Sequence, residues 1–415
     1  MPAPAPSGAD APDAPSTSGA PASKPPVVTP TFVVAWLVNF SQYLAFYLLT
    51  TTMALYAVRQ FGAGDAAAGF ASSSFVVGAT VARVFAGHVV DSLGRRRVLI
   101  ASLVVVLLAC LAYLPAASLG ALLVIRLVHG AAYALASTAV MTVVQSVIPP
   151  SRRAEGTGYF ALGTTLATAV GPALGLSLTG SAGYPAMFWT AVALAAVSTG
   201  IGLLLRTHED PDRVRPHVIR GFSVGGVLHP AVLPIAVVML LVGLGYAGVI
   251  TYLNGYAEAR GLGAGAGLFF VAYAAVMLVM RFVLGRLQDR RGDNLVIGLG
   301  MVAFTAALVL LAVAERDAVV VLAGALTGLG YGTLLPAAQA IAVRIVPPHQ
   351  LGTGISTLYL GMDVGVGLGP VLLGVLLGAA GFTWMYLVLA GVVVVAAGFY
   401  VLVHGRTPQA RPVAG

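Results

Sequence analysis

The chain has 415 residues, of which 59% are hydrophobic and only 9% charged. A water-soluble domain carries about 25% charged residues, so this composition excludes a soluble enzyme or scaffold and points to a membrane protein. The formal charge of +8 does not point to nucleic acid, because the cations collect in alternate loops between apolar runs, as the positive-inside rule requires.

In chain order, residues 1–30 are rich in Pro, Ala and Ser and lack an apolar core segment, which predicts a disordered tail and not a cleaved signal peptide. Apolar runs long enough for a bilayer, about 20 residues each, follow at 31–56, 67–90, 97–114, 119–147, 154–180, 183–205, 231–256, 265–287, 294–313, 318–346, 350–378 and 381–403. The fold class is therefore an all-α membrane protein of twelve spans. With both termini in the cytoplasm, the inner segments hold 16 cations: Lys24, Arg95, Arg96, Arg97, Arg152, Arg153, Arg206, Arg213, Arg215, Arg220, Arg286, Arg290, Arg291, Arg344, Arg406 and Arg411. The outer loops hold only Arg59, Arg260 and Arg316, and Arg83, Arg126 and Arg281 lie within the apolar spans. The single cysteine, Cys110, falls in the third span, so no internal disulfide is expected and packing is its role.

Adding 198 to residue numbers from Ala68 onward aligns the chain with itself without a gap: Gly69 meets Gly267, Arg83 meets Arg281, Asp91 meets Asp289, Tyr133 meets Tyr331, and Gly171-Pro172 meets Gly369-Pro370. Two bundles of the same design are expected, at 31–205 and 231–404, joined by a polar cytoplasmic linker at 206–230 and followed by a tail at 405–415. A parallel repeat of two six-span halves suits a carrier whose central site opens to each side in turn.

Between spans 2 and 3 the chain reads GHVVDSLGRRRVLI. Gly87, Asp91, Gly94, Arg95 and Arg96 strongly resemble the loop signature of the major facilitator superfamily, G-x-x-x-D-x-x-G-R-R/K. Glycines allow a tight turn, and Asp91 facing a helix amino terminus gains about 0.3–1 kcal/mol. The resemblance implies that this helix is the eleventh, so that Asp91 latches the two halves on the cytoplasmic side. The second copy keeps Gly285, Asp289 and Gly292 but has Asp293 and Asn294 where the first has Arg95 and Arg96. A plain solvated turn is the alternative for both.

In span 4, Arg126 and Gly130 resemble the family's R-x-x-x-G pattern, which implies proton coupling or anion contact for Arg126. An arginine inside a membrane span costs several kcal/mol unless paired or hydrated. His129 has a titration range suited to a proton relay, with hydrogen-bonded packing as the alternative. In span 5, Gly171, Pro172 and Gly175 resemble the antiporter motif of the exporter branches, although Ala167 and Leu176 replace two of its glycines; Gly365, Gly369, Pro370 and Gly374 mirror it in span 11. Small residues at this spacing allow close helix approach and Pro172 a kink, so these positions read as hinge and seal, or as packing alone.

The resemblance covers nearly the whole chain after residue 30 and is greatest to twelve-span drug/proton antiporters and sugar-efflux permeases. It implies a cavity lined by spans 1, 4, 7 and 10. Polar and aromatic residues there are Asn39, Gln42, Tyr43, Phe46 and Thr50; Arg126, Tyr133 and Ser137; Tyr246 and Asn254; Thr327, Tyr331 and Gln339. Interhelical hydrogen bonding without a substrate is the alternative for each.

Arg83 and Arg281 occur at equivalent depth in both halves and can snorkel to the cytoplasmic interface in a structural role. Asp363 instead meets Thr165 in the repeat, and Arg126 meets Gly324. A charge present in one half alone is not needed for the shared fold. Asp363, about 12 residues or roughly 18 Å into span 11, is expected to bind and release the driving proton and to pair with Arg83 across the halves or with Arg281 within its own. A permanent ion pair or contact with a cationic substrate is the alternative. Span 1 has no carboxylate, which disfavours a broad cationic-drug pump.

The expected function is proton-coupled export of a small organic solute by alternating access, with proton symport or facilitated uptake of a sugar or organic acid as the alternative. The sequence has no glycine-rich phosphate loop, metal cluster or nucleophile triad, so no cofactor, metal or catalysis is expected. The partners are the solute, protons and the lipid bilayer, with a monomer as the default for the fold. One lysine among many Arg, Pro and Ala suggests a GC-rich bacterial genome and hence an inner membrane.

Overall fold

The computed structural model describes residues 25–205 and 228–410, and all regular structure among them is helical. The first half contains α1 (Pro30–Phe61), α2 (Asp65–Leu93), α3 (Arg95–Ala112), α4 (Leu119–Val147), α5 (Arg153–Ser181) and α6 (Gly183–Leu203). The second contains α7 (Leu233–Arg260), α8 (Gly263–Arg291), α9 (Asp293–Val313), α10 (Asp317–Leu329), α11 (Tyr331–Ile345) and α12 (Leu351–Tyr400). Local chemistry sets several ends. The Thr29 hydroxyl accepts the Phe32 N–H at 3.2 Å with Pro30 in the first turn, which starts α1. Gly94 (φ 93°) and Gly292 (φ 85°), equivalent in the repeat, separate α2 from α3 and α8 from α9 in a backbone conformation that disfavours any side chain.

Ten helical segments among the described residues are long and apolar enough to cross a membrane. Two of the twelve expected spans fall outside that set. One is α3, whose 18 residues begin with Arg95, Arg96 and Arg97. The other is the stretch 351–371, rich in Gly, Thr and Ser, which contains Asp363. The expected span 10 is broken: Gly330 (φ −76°, ψ −88°) divides α10 from α11. A Cβ at Gly330 would stand 2.6 Å from the Phe304 backbone nitrogen, whereas its repeat partner, Ala132, lies inside the uninterrupted α4. The two last spans form one helical run, α12, broken at Gly381 (φ 76°). Pro172 and Pro370 stay within their helices.

Within the first half α2 packs on α4 and α1 on α5; within the second, α12 packs on α7 and α8 on α10. The halves meet along α2 with α12 and α5 with α8. Large apolar side chains such as Val81, Trp189, Val302, Val375 and Trp384 are exposed, as lipid contact requires.

The tail expected at 1–30 is corrected at its end. Val27 is buried and the Pro25 carbonyl accepts from Arg152 Nη1 at 2.8 Å, while residues 1–24 lie outside the described part. Most of the linker, 206–227, and residues 411–415 also lie outside it. Ala410, in the tail expected at 405–415, is buried.

Candidate transport site and gate

At the arginine-rich end of the helices the two motif aspartates occupy equivalent positions. Asp91 accepts from the backbone N–H of Gly352 at 2.9 Å and of Thr353 at 2.7 Å, and from the Thr353 hydroxyl at 2.8 Å, at the amino end of α12. Asp289 accepts from the backbone N–H of Ala154 at 3.0 Å and of Glu155 at 2.9 Å, at the amino end of α5. These acceptors differ by the repeat offset, so each half caps a helix of the other. Unsatisfied N–H groups and the helix dipole favour a carboxylate there. Gly87 and Gly285 permit the approach: a Cβ would lie 2.6 Å from the Gly352 carbonyl oxygen or 2.6 Å from that of Ala154. Arg95 donates to the Pro348 carbonyl at 2.6 Å and Arg96 to that of Leu205 at 2.9 Å. Asp91→Asn, which keeps the shape and removes the charge, is expected to lower stability by about 1–2 kcal/mol, measured as a fall in thermal midpoint, and Asp289→Asn by a similar amount.

Two further clusters reinforce this end, and sequence reasoning missed both. Glu155 binds Arg152 Nε at 2.8 Å, Arg286 Nε at 2.7 Å and the Tyr159 hydroxyl at 2.8 Å. Arg286 and Glu155 lie on opposite halves. The departure of the second motif copy has a structural reason: Asp293 is fully buried, paired with Arg344, and contacted by His404 Nε2 and Gln288 Nε2, each at 2.9 Å. An arginine there would face Arg344.

Deeper in the interface, Arg83 Nε donates to Asp363 Oδ2 at 2.6 Å, which answers which arginine the aspartate meets. Arg83 also reaches the Ser137 hydroxyl at 3.2 Å and the Thr138 hydroxyl at 3.5 Å on α4, and its guanidinium lies 5.0 Å from the centre of the Tyr359 ring. The Ser356 hydroxyl donates to the Arg83 carbonyl. The aspartate side chain keeps 22% of its surface exposed, the arginine 6%. Tyr359 in turn accepts from Gln339 Nε2 at 2.9 Å. Tyr359 and Asp363 are four residues apart, hence on one helix face, which is the signal that could have singled out the tyrosine. Snorkelling of Arg83 and Arg281 is corrected: both are buried, because the other half covers the route to the interface.

The five residues expected to couple protons do not form one cluster. Arg126 and His129 lie along α4, 11 and 8 residues from Ser137, or about 16 and 12 Å. Arg126 is fully buried, donates through Nη2 to the Ser72 carbonyl at 2.8 Å and faces Phe75; its Nε and Nη1 have no hydrogen-bond partner. His129 Nδ1 lies 3.1 Å from the Tyr113 hydroxyl and the ring packs against Phe75. Arg281 makes no ion pair among the described residues, and its buried Nε has no hydrogen-bond partner.

Of the expected cavity residues, Tyr43 and Phe46 pack against Tyr133, with ring centres 5.6 and 5.8 Å apart, and Tyr246 stacks on Tyr331 at 3.7 Å. Two others face elsewhere. Gln42 Nε2 donates to Ser198 of α6 at 3.0 Å and Asn39 Nδ2 to Thr164 of α5 at 3.4 Å, both buried. They tie helices of one half, since a buried amide takes the nearest fixed acceptor. The Asn254 side chain lies outside the described part. In the antiporter-like motif, Gly171 and Gly175 face Tyr47 and Leu48 of α1, and Gly365 and Gly369 face Leu240 and Ala247 of α7, which is close helix packing. The Pro370 carbonyl accepts the Tyr252 hydroxyl at 2.6 Å.

The profile of the Major Facilitator Superfamily matches residues 35–314 and 263–415. An MFS-type transporter of Burkholderia mallei is 25% identical over 359 residues, covering 84% of this chain and 86% of the relative. Among solved structures, the human organic anion transporter MFSD10 superposes with a TM-score of 0.78 at 18% identity, covering 90% of this chain and 100% of that one. A proton:xylose symporter does so with a TM-score of 0.71 at 14% identity, covering 89% and 94%. At such identities the solved structures share the fold alone. With the family profile spanning the repeat and both loop signatures, the chain belongs to the major facilitator superfamily and is a multi-pass membrane transporter, not an enzyme.

Proposed function

We propose that this protein is a twelve-span carrier of two six-helix bundles, with both termini in the cytoplasm, that exports a small organic solute in exchange for protons. On this reading α3 and residues 351–371 complete the twelve spans, and the arginine-rich end faces the cytoplasm, as the positive-inside rule requires. The protein works as a monomer in the inner membrane of a bacterium. The observation that carries the reading is the Arg83–Asp363 ion pair, which joins the two halves at 2.6 Å near a set of buried and partly buried aromatic side chains.

Arg83 is fixed to its own half by Ser137 and Thr138. Asp363 lies on the helix whose amino end Asp91 holds, 11 residues or about 16 Å away. While the aspartate is charged, the pair and the latch hold the cytoplasmic end closed together. A proton on Asp363 removes the charge attraction, so the halves part and the solute exchanges sides. The carboxylate retains water access for the proton through its exposed 22%.

The test uses liposomes reconstituted with wild type or Asp363→Asn and loaded with a pH-sensitive dye. They are challenged with solutes preselected by thermal-stability shift, since a ligand at 100 times its Kd adds about 2.7 kcal/mol. Wild type is expected to move solute opposite to the proton flux and Asp363→Asn to fall to background. Solute accumulation driven by ΔpH in Asp363→Asn would overturn the assignment. Proton symport of a sugar or organic acid is the second reading, favoured by the fold shared with a proton:xylose symporter. Solute and protons moving the same way would select it.

A further inference from the structure

The repeat can be carried through the surroundings of Arg83 residue by residue, and it exposes an imbalance. Four groups serve Arg83: Asp363, Ser137, Thr138 and the Tyr359 ring. A fifth, Ser356, holds its carbonyl. Subtracting or adding 198 gives the residues that stand at the matching places around Arg281: Thr165, Leu335, Pro336, Ala161 and Gly158. The equivalence is geometric as well as numerical, because a Cβ on Gly158 would stand 3.0 Å from the Arg281 carbonyl oxygen, where Ser356 meets that of Arg83. The cation is retained in the second half, while the carboxylate and nearly all the hydroxyls around it are gone.

What remains is an arginine with 9% of its surface exposed, a buried and partnerless Nε, and no ion pair among the described residues. Arg281 also lines a cavity of about 20 Å³, together with Gly158, Met280, Gln288, Thr333 and Pro336. This is the size for a single water-sized group, a halide ion or one oxygen of a carboxylate whose remainder lies outside the cavity. Threonine, leucine, proline, alanine and glycine at the five replaced positions carry no charge, so among the described residues no carboxylate neutralises this arginine. A buried cation without a counter-charge is costly, and an anion from outside would offset that cost.

We propose that Arg281 is an anion site, at which the guanidinium takes a monovalent anion in the role that the Asp363 carboxylate fills for Arg83. The anion is either a carboxylate of the transported solute, which rests on the transport reading above, or a halide that accompanies the protein in every state. The first source makes the solute an organic anion; the second makes the halide a structural counter-ion.

Both sources are separable with the full-length protein in detergent. Thermal unfolding is followed in sodium gluconate at fixed ionic strength, with gluconate replaced stepwise by chloride, acetate or benzoate. Wild type is expected to gain a saturable rise of about 2 °C or more. A response to chloride alone identifies a halide; a response to acetate or benzoate identifies a carboxylate. Arg281→Gln should abolish the response. Thr165→Asp is the sharper variant, because it supplies the missing carboxylate at the repeat position: it should fold, be no less stable than wild type in gluconate, and no longer respond to any of the three anions. A wild type indifferent to all three, or a Thr165→Asp or Arg281→Gln protein that responds as wild type does, would overturn the proposal. Since the readout is binding in detergent, it stands or falls apart from the direction of transport and its coupling to protons.

Discussion

Arg83→Leu is expected to lower stability by about 3 kcal/mol, and Arg83→Leu/Asp363→Leu to recover most of that loss. Removing one partner of a buried ion pair leaves the other charged in a medium that solvates it poorly, whereas removing both replaces the pair with apolar packing. The single variants should also differ from each other. Asp363→Leu leaves Arg83 with Ser137, Thr138 and the Tyr359 ring. Arg83→Leu leaves Asp363 without its cation, and this should be the costlier change. Thermal midpoints of the four proteins in one detergent measure the cycle. Additive single effects, with no recovery in the double variant, would mean that the pair contributes nothing as a pair. The double variant is expected to be stable and to show no ΔpH-driven transport.

Gly87→Val should abolish transport while leaving the chain folded. The new Cβ would stand 2.6 Å from the Gly352 carbonyl oxygen. The obstacle is backbone, so neither side can yield by changing a rotamer, and α2 and α12 must separate where Asp91 now binds. Gly285→Val applies the same wedge between α8 and α5, where its Cβ meets the Ala154 carbonyl oxygen at 2.6 Å. Either variant is expected to hold the arginine-rich end open. A Phe46→Cys reporter added to each background should then react faster with a membrane-impermeant maleimide applied from that side, and the native Cys110, fully buried, does not compete. Wild-type transport and unchanged labelling in Gly87→Val would show that closure at this glycine is not part of the cycle.

Much of this architecture is legible along the chain. Hydrophobic run length marks the helices, and the 198-residue offset marks the repeat. The pair of left-handed glycines, Gly94 and Gly292, and the paired aspartates fall where the motif places them. These features are local, or depend on a period, and both survive in a linear string. The break at Gly330 is not legible, because the run from Gly328 to Gly332, GLGYG, suits a continuous helix equally well; the close approach of the Phe304 backbone, from another helix, accounts for a bare backbone there. Gln42 and Asn39 share a stripe with Tyr43 and Phe46, yet their amides bind Ser198 and Thr164. A helical wheel gives direction around one axis and cannot tell which neighbour stands there.

The buried charges divide along the same line. That Asp363 has no counterpart in the first half, and that Arg83 and Arg281 have each other, follows from the sequence alone, since it needs only the offset. Which charge meets which was decided by tertiary structure. Arg83 approaches Asp363 because α2 and α12 cross between the halves, and Arg281 lacks a carboxylate because the helix across from it, α5, carries Thr165. An ion pair depends on separation in space, and residues 280 positions apart acquire a separation only when the helices between them have packed.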